Sequence, residues 1–216
     1  MTGVQTCALP ICVVGALAAL NYASRIASGK PPRDTLYRYD EAIGGFVLYA
    51  ILLGLMLWIA QGLTREQLGL RRPNSWPRAL GLALGVLIAI LIVEAALEPL
   101  LHATREQGLE PPHWEPSRAS AFALNAAVVV LAAPLVEELS FRGIGVALLR
   151  PFGAVVAVAA TALAFAAAHG LVAGLVALFV FGAALAWLRL QTESVFPGML
   201  LHACYNGAAL AIVFVR

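Results

Sequence analysis

The sequence has little charge, and the charge it has does not favour one sign. Only 12% of its 216 residues are Asp, Glu, Lys or Arg, and the formal net charge is +2. Nucleic-acid-binding domains carry a clustered basic stripe, and the sequence has none, so nucleic acid is not expected as a partner. Hydrophobic residues make up 61% of the chain, against about 45–50% in soluble domains. This balance predicts an integral membrane protein.

Cysteine is also scarce, occurring only at Cys7, Cys12 and Cys204. These spacings match neither a disulfide framework nor a metal-binding pattern. Cys7 falls within the opening segment "MTGVQTCALPI" (1–11), which resembles the translation of a common short-read sequencing adapter. We therefore interpret residues 1–11 as non-native sequence fused to a gene fragment. The segment lacks the basic start that a signal peptide needs.

Long hydrophobic runs take the place of charged segments. About 20 apolar residues are enough to cross a bilayer. Six segments reach or approach that length, and a shorter one at 12–23 precedes them as a truncated helix would. The six predicted spans are 41–61, 79–97, 121–141, 153–170, 171–190 and 195–215. We expect an all-α fold, a polytopic transmembrane helix bundle of six complete spans plus the truncated first helix.

Polar connectors separate the spans at 21–40, 64–78 and 102–118, where proline and charge accumulate. Lysine and arginine normally mark cytoplasmic loops, but the predicted loops hold seven on each side, so the orientation is left open. We expect one membrane domain, with N-terminal helices and loops at 12–118 and a functional core at 119–216. Membrane lipid is an expected partner, a prokaryotic cytoplasmic membrane is the expected location, and the oligomeric state is open.

Ionisable side chains inside a membrane are costly and usually mark function. Glu138 and Arg142, in "APLVEELSFRGIG", are four residues apart on a helix, which suits an ion pair. Glu137 projects about 100° away, so it can act separately as a base. The alternative is a helix end whose charges reach the lipid headgroups. Glu94 and Glu98 have no basic or histidine partner on their own helix face and are expected to snorkel to the interface.

Two further helices carry polar side chains at the same predicted depth. Phe165 precedes His169 by one helical turn, and His202 precedes Asn206 by one turn. Taken singly, His169 could cap its helix, and His202 with Asn206 could bridge helices. Together with the glutamates, these groups are typical of water activation: a carboxylate base, imidazoles, and an amide donor for a developing oxyanion. Imidazoles with a glutamate can also hold a divalent metal.

The three motifs resemble those of a known family. They read E-E-x-x-x-R from Glu137, F-x-x-x-H from Phe165 and H-x-x-x-N from His202, with "FRG" at 141–143 and "LGLRRP" at 68–73 as supporting details. In this order and spacing they resemble the CAAX-protease and bacteriocin-processing family (CPBP, or Abi) of intramembrane metalloproteases, which includes CAAX prenyl endopeptidases. The resemblance runs from about Ala133 to the last residue and covers the upstream helices only loosely.

The resemblance implies an intramembrane endopeptidase that hydrolyses a peptide bond of a prenylated or bacteriocin-type peptide or protein at the membrane. It implies that Glu137 activates the water, and that Glu138 and Arg142 brace the helix. The residues implied to be catalytic are Glu137, Glu138, His169, His202 and Asn206, with Arg142 and Phe165 in support. Zinc or another divalent metal is left open, with Glu137, His169 and His202 as candidate ligands, because the H-E-x-x-H pattern of a clear zinc site is missing.

Other classes fit the sequence less well. There is no G-x-S-G serine for a rhomboid-like protease, and the only aspartates, Asp34 and Asp40, fall in a predicted loop. A non-enzymatic membrane protein is the remaining alternative, either a proton-coupled transporter or a bacteriocin self-immunity factor, since buried carboxylates and histidines can also relay protons. The order of the three motifs favours the protease.

Overall fold

The computed structural model describes residues 3–29, 31–102, 106 and 113–214, and these are helical apart from short connections. Most of the predicted connector at 102–118, and part of the segment at 1–11, lie outside the described residues. The helices are α1 (Gly3–Ser28), α2 (Tyr39–Ile59), α3 (Trp76–Leu101), α4 (Pro116–Phe152), α5 (Ala154–Ala168), α6 (Leu175–Thr192) and α7 (Phe196–Phe214).

The predicted all-α membrane bundle is confirmed. Five helices of the described part, α2, α3, α4, α6 and α7, are long and apolar enough to cross a membrane. The span predicted at 153–170 is shorter than expected, because α5 has 15 residues and ends before His169. The span predicted at 171–190 begins later, at Leu175, because residues 169–174 form the turn between α5 and α6. Large apolar side chains on the outer faces of α2 and α3 stay exposed, as lipid-facing residues do.

Helix α4 is interrupted twice by π-helical turns, at Val128–Ala132 and at Glu138–Gly145. The first stretch ends just before Pro134, which has no N–H to return to a carbonyl in the preceding turn. The second contains most of the E-E-x-x-x-R motif. Turns of this wider kind inside α-helices occur often at functional sites.

The main core lies where α3 to α7 meet. It is built around a group of buried aromatic and aliphatic side chains that includes Phe141, Phe165, Phe181, Leu185 and Leu201. Helices α5 and α6 approach closely at Gly182, where an added Cβ would lie 3.1 Å from the Ala162 Cα. This close packing fixes the spacing between α6 and α5, which carries Phe165 of the F-x-x-x-H motif.

Candidate active site

The E-E-x-x-x-R motif of α4 faces the inside of the bundle. The side chains of Glu138 and Arg142 are 0% and 1% exposed, whereas that of Glu137 is 14% exposed. The two adjacent glutamates therefore occupy different environments, as their 100° separation on the helix predicts.

Glu138 and Arg142 make the predicted ion contact, with Arg142 Nη1 3.0 Å from Glu138 Oε1. The Nη1 hydrogens are not directed along this line, so the contact is one of charge and not a hydrogen bond. Arg142 Nη2 donates a hydrogen bond to the Gly182 carbonyl on α6 (3.1 Å). Its guanidinium also lies over the Phe165 ring, 4.4 Å from the centroid. Arg142 thus ties α4 to both α5 and α6.

His202, on α7, lies between the two glutamates. Its Nδ1 is 3.1 Å from Glu138 Oε1, and its Nε2 is 3.9 Å from Glu137 Oε2. A carboxylate can only accept a hydrogen bond, so Nδ1 carries the hydrogen in this contact, and Nε2 of the neutral ring is then an acceptor that faces Glu137. The rings of Phe165 and Phe181 meet the imidazole edge to face, at 5.9 and 5.0 Å between centroids. Glu138 therefore orients His202 as well as pairing with Arg142.

The carboxylate of Glu137 has two unequal oxygens. Oε1 accepts a hydrogen bond from the Tyr49 hydroxyl on α2 (2.7 Å). Oε2 is buried and has no hydrogen-bond partner in the described part of the chain. The sequence motifs did not identify Tyr49, although a tyrosine in the middle of the apolar run 41–61 is a signal that could have been noticed.

His169 lies in the turn after α5, where its Nδ1 is 2.8 Å from the Phe165 carbonyl oxygen. The two residues share one helix face, as their spacing predicts, and their rings are 4.6 Å apart. Among the described residues no hydrogen bond or ion pair joins His169 to Glu137. Both side chains instead line one cavity.

That cavity has a volume of about 660 Å³ and lies between α1, α2, α4 and α5. Its wall is mainly aliphatic, and its polar lining residues include Glu137, Tyr49, His169 and Arg25. Mostly apolar cavities with a few convergent polar groups are the usual form of ligand sites. The arrangement can hold an apolar chain beside a carboxylate and an imidazole.

Asn206 lies one turn after His202 but contacts a different element. Its Nδ2 donates a hydrogen bond to the Val129 carbonyl in the first π-helical stretch of α4 (2.8 Å). In π-helical geometry the residue that would donate to this carbonyl is five positions later, at Pro134, which has no N–H. The proline thus leaves a carbonyl free, and Asn206 satisfies it. The structure therefore places this amide against α4 and not on the cavity wall.

Glu94 has a partner on another helix, in addition to what its own helix face predicts. The Tyr205 hydroxyl of α7 lies 2.7 and 2.6 Å from the two carboxylate oxygens of Glu94 on α3. This contact ties α3 to α7.

Within the described residues no three His, Cys, Asp or Glu side chains come close enough together to hold a metal ion. Of the three candidate ligands, Glu137 and His202 approach to 3.9 Å, while His169 is engaged with Phe165. Three ligands are the minimum protein contribution to a catalytic zinc site. These side-chain positions in the described residues do not form such a site.

Comparison with known proteins agrees with the motifs. Residues 119–208, from α4 into α7, match the family model described as type II CAAX prenyl endopeptidase, Rce1-like. This match confirms the resemblance to the CAAX protease family for residues 119–208, and the five long apolar helices of the described part support an integral membrane protein. Separate comparisons with curated proteins and with solved structures found no match.

Proposed function

We propose that the protein hydrolyses a peptide bond at the membrane, with Glu137 as the general base that activates water. The observation that carries this proposal is the pair of facing acceptors, Glu137 Oε2 and His202 Nε2, 3.9 Å apart. Each of the two hydrogens of one water molecule can be donated to one of them. A water held in this way presents its oxygen lone pair to a substrate carbonyl.

The proposed reaction proceeds by addition and elimination. Glu137 takes a proton from the water as its oxygen forms a bond to the scissile carbonyl carbon. The proton then passes to the leaving amine nitrogen as the C–N bond breaks, which yields a carboxylic acid and an amine. A positioned base of this kind contributes about 10²–10⁴-fold to the rate.

The other motif residues support this chemistry in the proposal. Glu138 keeps His202 in the tautomer whose Nε2 faces the water, and Arg142 pairs with Glu138. His169 stands on the cavity wall, where its Nε2 can contact the substrate carbonyl. Asn206 holds α7 to α4 and so fixes the height of His202.

The cavity supports a substrate class. Its mainly aliphatic wall fits an apolar chain, and Glu137, Tyr49 and His169 are among its few polar lining residues. We propose a lipid-modified, CAAX-type peptide or protein as substrate, with the apolar group in the cavity and the scissile bond beside Glu137. A peptide that carries a farnesylated cysteine, two aliphatic residues and a free C-terminus is a suitable probe.

The test compares wild-type protein with Glu137→Gln in liposomes, with the products identified by mass spectrometry. Glutamine keeps the shape of the side chain but cannot take up the proton, so cleavage should fall at least about 100-fold. The matched control is Glu94→Gln, another glutamate inside the bundle but off the cavity wall, which should keep wild-type cleavage. Equal cleavage by wild type and Glu137→Gln would refute the proposal. A chelator arm reports separately on metal dependence.

A further inference from the structure

We propose that Tyr49 is a positioning residue for the base: it occupies Glu137 Oε1 and thereby makes Oε2 the oxygen that acts on water. The inference rests on the proposed function of Glu137. Tyr49 lies on α2, outside the matched region 119–208, so neither the motifs nor the family match includes it.

The first support is the asymmetry of the Glu137 carboxylate. The Tyr49 hydroxyl lies 2.7 Å from Oε1, whereas Oε2 is without a hydrogen-bond partner and faces His202 Nε2 at 3.9 Å. A carboxylate rotates freely about its last torsion unless one oxygen is held. Holding Oε1 fixes the plane of the group and directs Oε2 towards the imidazole.

The second support is the close packing that brings Tyr49 to the site. Gly45 precedes Tyr49 by four residues and lies on the same face of α2. A Cβ on Gly45 would lie 2.8 Å from Val128 Cγ1 on α4, closer than side chains approach. Valine is stiff at χ1 and cannot easily move aside. The missing side chain therefore lets α2 lie against α4, one turn from the contact between Tyr49 and Glu137.

The third support is location. Tyr49, Glu137 and His169 line the same cavity, and Tyr49 is half-buried there. The hydroxyl of Tyr49 therefore holds the carboxylate where the cavity meets His202, and it leaves Oε2 to receive the proton of the water.

The test is kcat and KM, measured separately with the farnesylated peptide, for wild type, Tyr49→Phe and Tyr39→Phe. Tyr39 is the matched control, since it lies on the same helix and its hydroxyl bonds Ser120, away from the cavity. Tyr49→Phe should lower kcat about tenfold and leave KM within about twofold of wild type, because the substrate still binds while the hydrogen bond that holds the base is lost. Tyr39→Phe should keep the wild-type values of both constants.

A second variant, Gly45→Ala, keeps the hydroxyl and moves α2 away from α4, so its kcat should fall in the same way. Wild-type kcat in both Tyr49→Phe and Gly45→Ala, with Glu137→Gln inactive, would overturn the inference and leave the proposed function standing. A loss in Tyr49→Phe that appears in KM or in the free energy of unfolding, with kcat unchanged, would also overturn it, because a purely structural role predicts that result. Wild-type cleavage by Glu137→Gln would overturn both.

Discussion

Replacing Arg142 by Met tests how the buried ion pair supports the site. Arg142 and Glu138 are 1% and 0% exposed, and their nearest charged atoms are 3.0 Å apart. Met keeps an extended apolar side chain but removes the charge, so Glu138 is left buried without its cation. Removing one partner of a buried pair costs about 3–5 kcal/mol. The loss of the Arg142 bond to the Gly182 carbonyl is included in this figure.

The double variant Glu138→Gln/Arg142→Met separates charge from packing. Once both charges are gone, no ion remains unpaired, and the amide oxygen of Gln can still accept from His202 Nδ1. We expect the double variant to recover at least about 2 kcal/mol of the loss, as coupled neighbours do. The measurement is the free energy of unfolding in mixed micelles with increasing SDS fraction. A loss below about 1 kcal/mol in the single variant, or a double variant no more stable than the single, would refute the reasoning.

Two further predictions concern the connections around the core. Gly69 has φ +69°, and a Cβ there would overlap the buried Arg189 guanidinium. Gly69→Ala should therefore lower the midpoint of thermal unfolding by several degrees. An unchanged midpoint would contradict this close packing. Glu106 accepts hydrogen bonds from the N–H groups of Val172 and Gly174 (2.8 and 2.9 Å). Partial burial acts to raise the pKa of Glu106, but these N–H donors outweigh it and hold the pKa below the usual 4.5. Since the folded pKa is the lower one, the carboxylate should stabilise the fold above pH 4.5 and lose this effect as the pH falls through the folded value. The gap in thermal midpoint between wild type and Glu106→Gln should therefore close at low pH, and a constant gap would contradict the assignment.

Local spacing predicted part of the site. The four-residue separations place Glu138 beside Arg142 and Phe165 beside His169, and both contacts are present. These pairs lie on single helices, so 3.6 residues per turn is sufficient to predict them. The long apolar runs predicted the bundle, because the length of a membrane span follows from the thickness of the bilayer.

Contacts between helices could not be predicted in this way. Tyr49 reaches Glu137 across 88 positions, and this depends on close packing at Gly45. His202 and Asn206 share a helix face, but the first contacts Glu138 and the second contacts a backbone carbonyl. Which neighbour each side chain meets is decided by the distance and rotation of the opposing helix, and a single sequence does not specify either.

The π-helical stretches of α4 are a second reason why spacing alone did not predict the site. Four-residue spacing assumes a regular α-helix, but the turns at Glu138–Gly145 are wider than α-helical turns. The bond from Asn206 to Val129 depends on the irregular turn before Pro134. A proline inside an apolar span marks such a place, although it does not say which side chain will satisfy the freed carbonyl.

The most direct test of the central claim is the cleavage rate of purified Glu137→Gln beside wild type, in the same liposomes and with the same farnesylated peptide. If Glu137 is the base, the variant should fold and unfold as wild type does, while its kcat falls by at least about 100-fold. Wild-type kcat in a correctly folded Glu137→Gln would contradict the account.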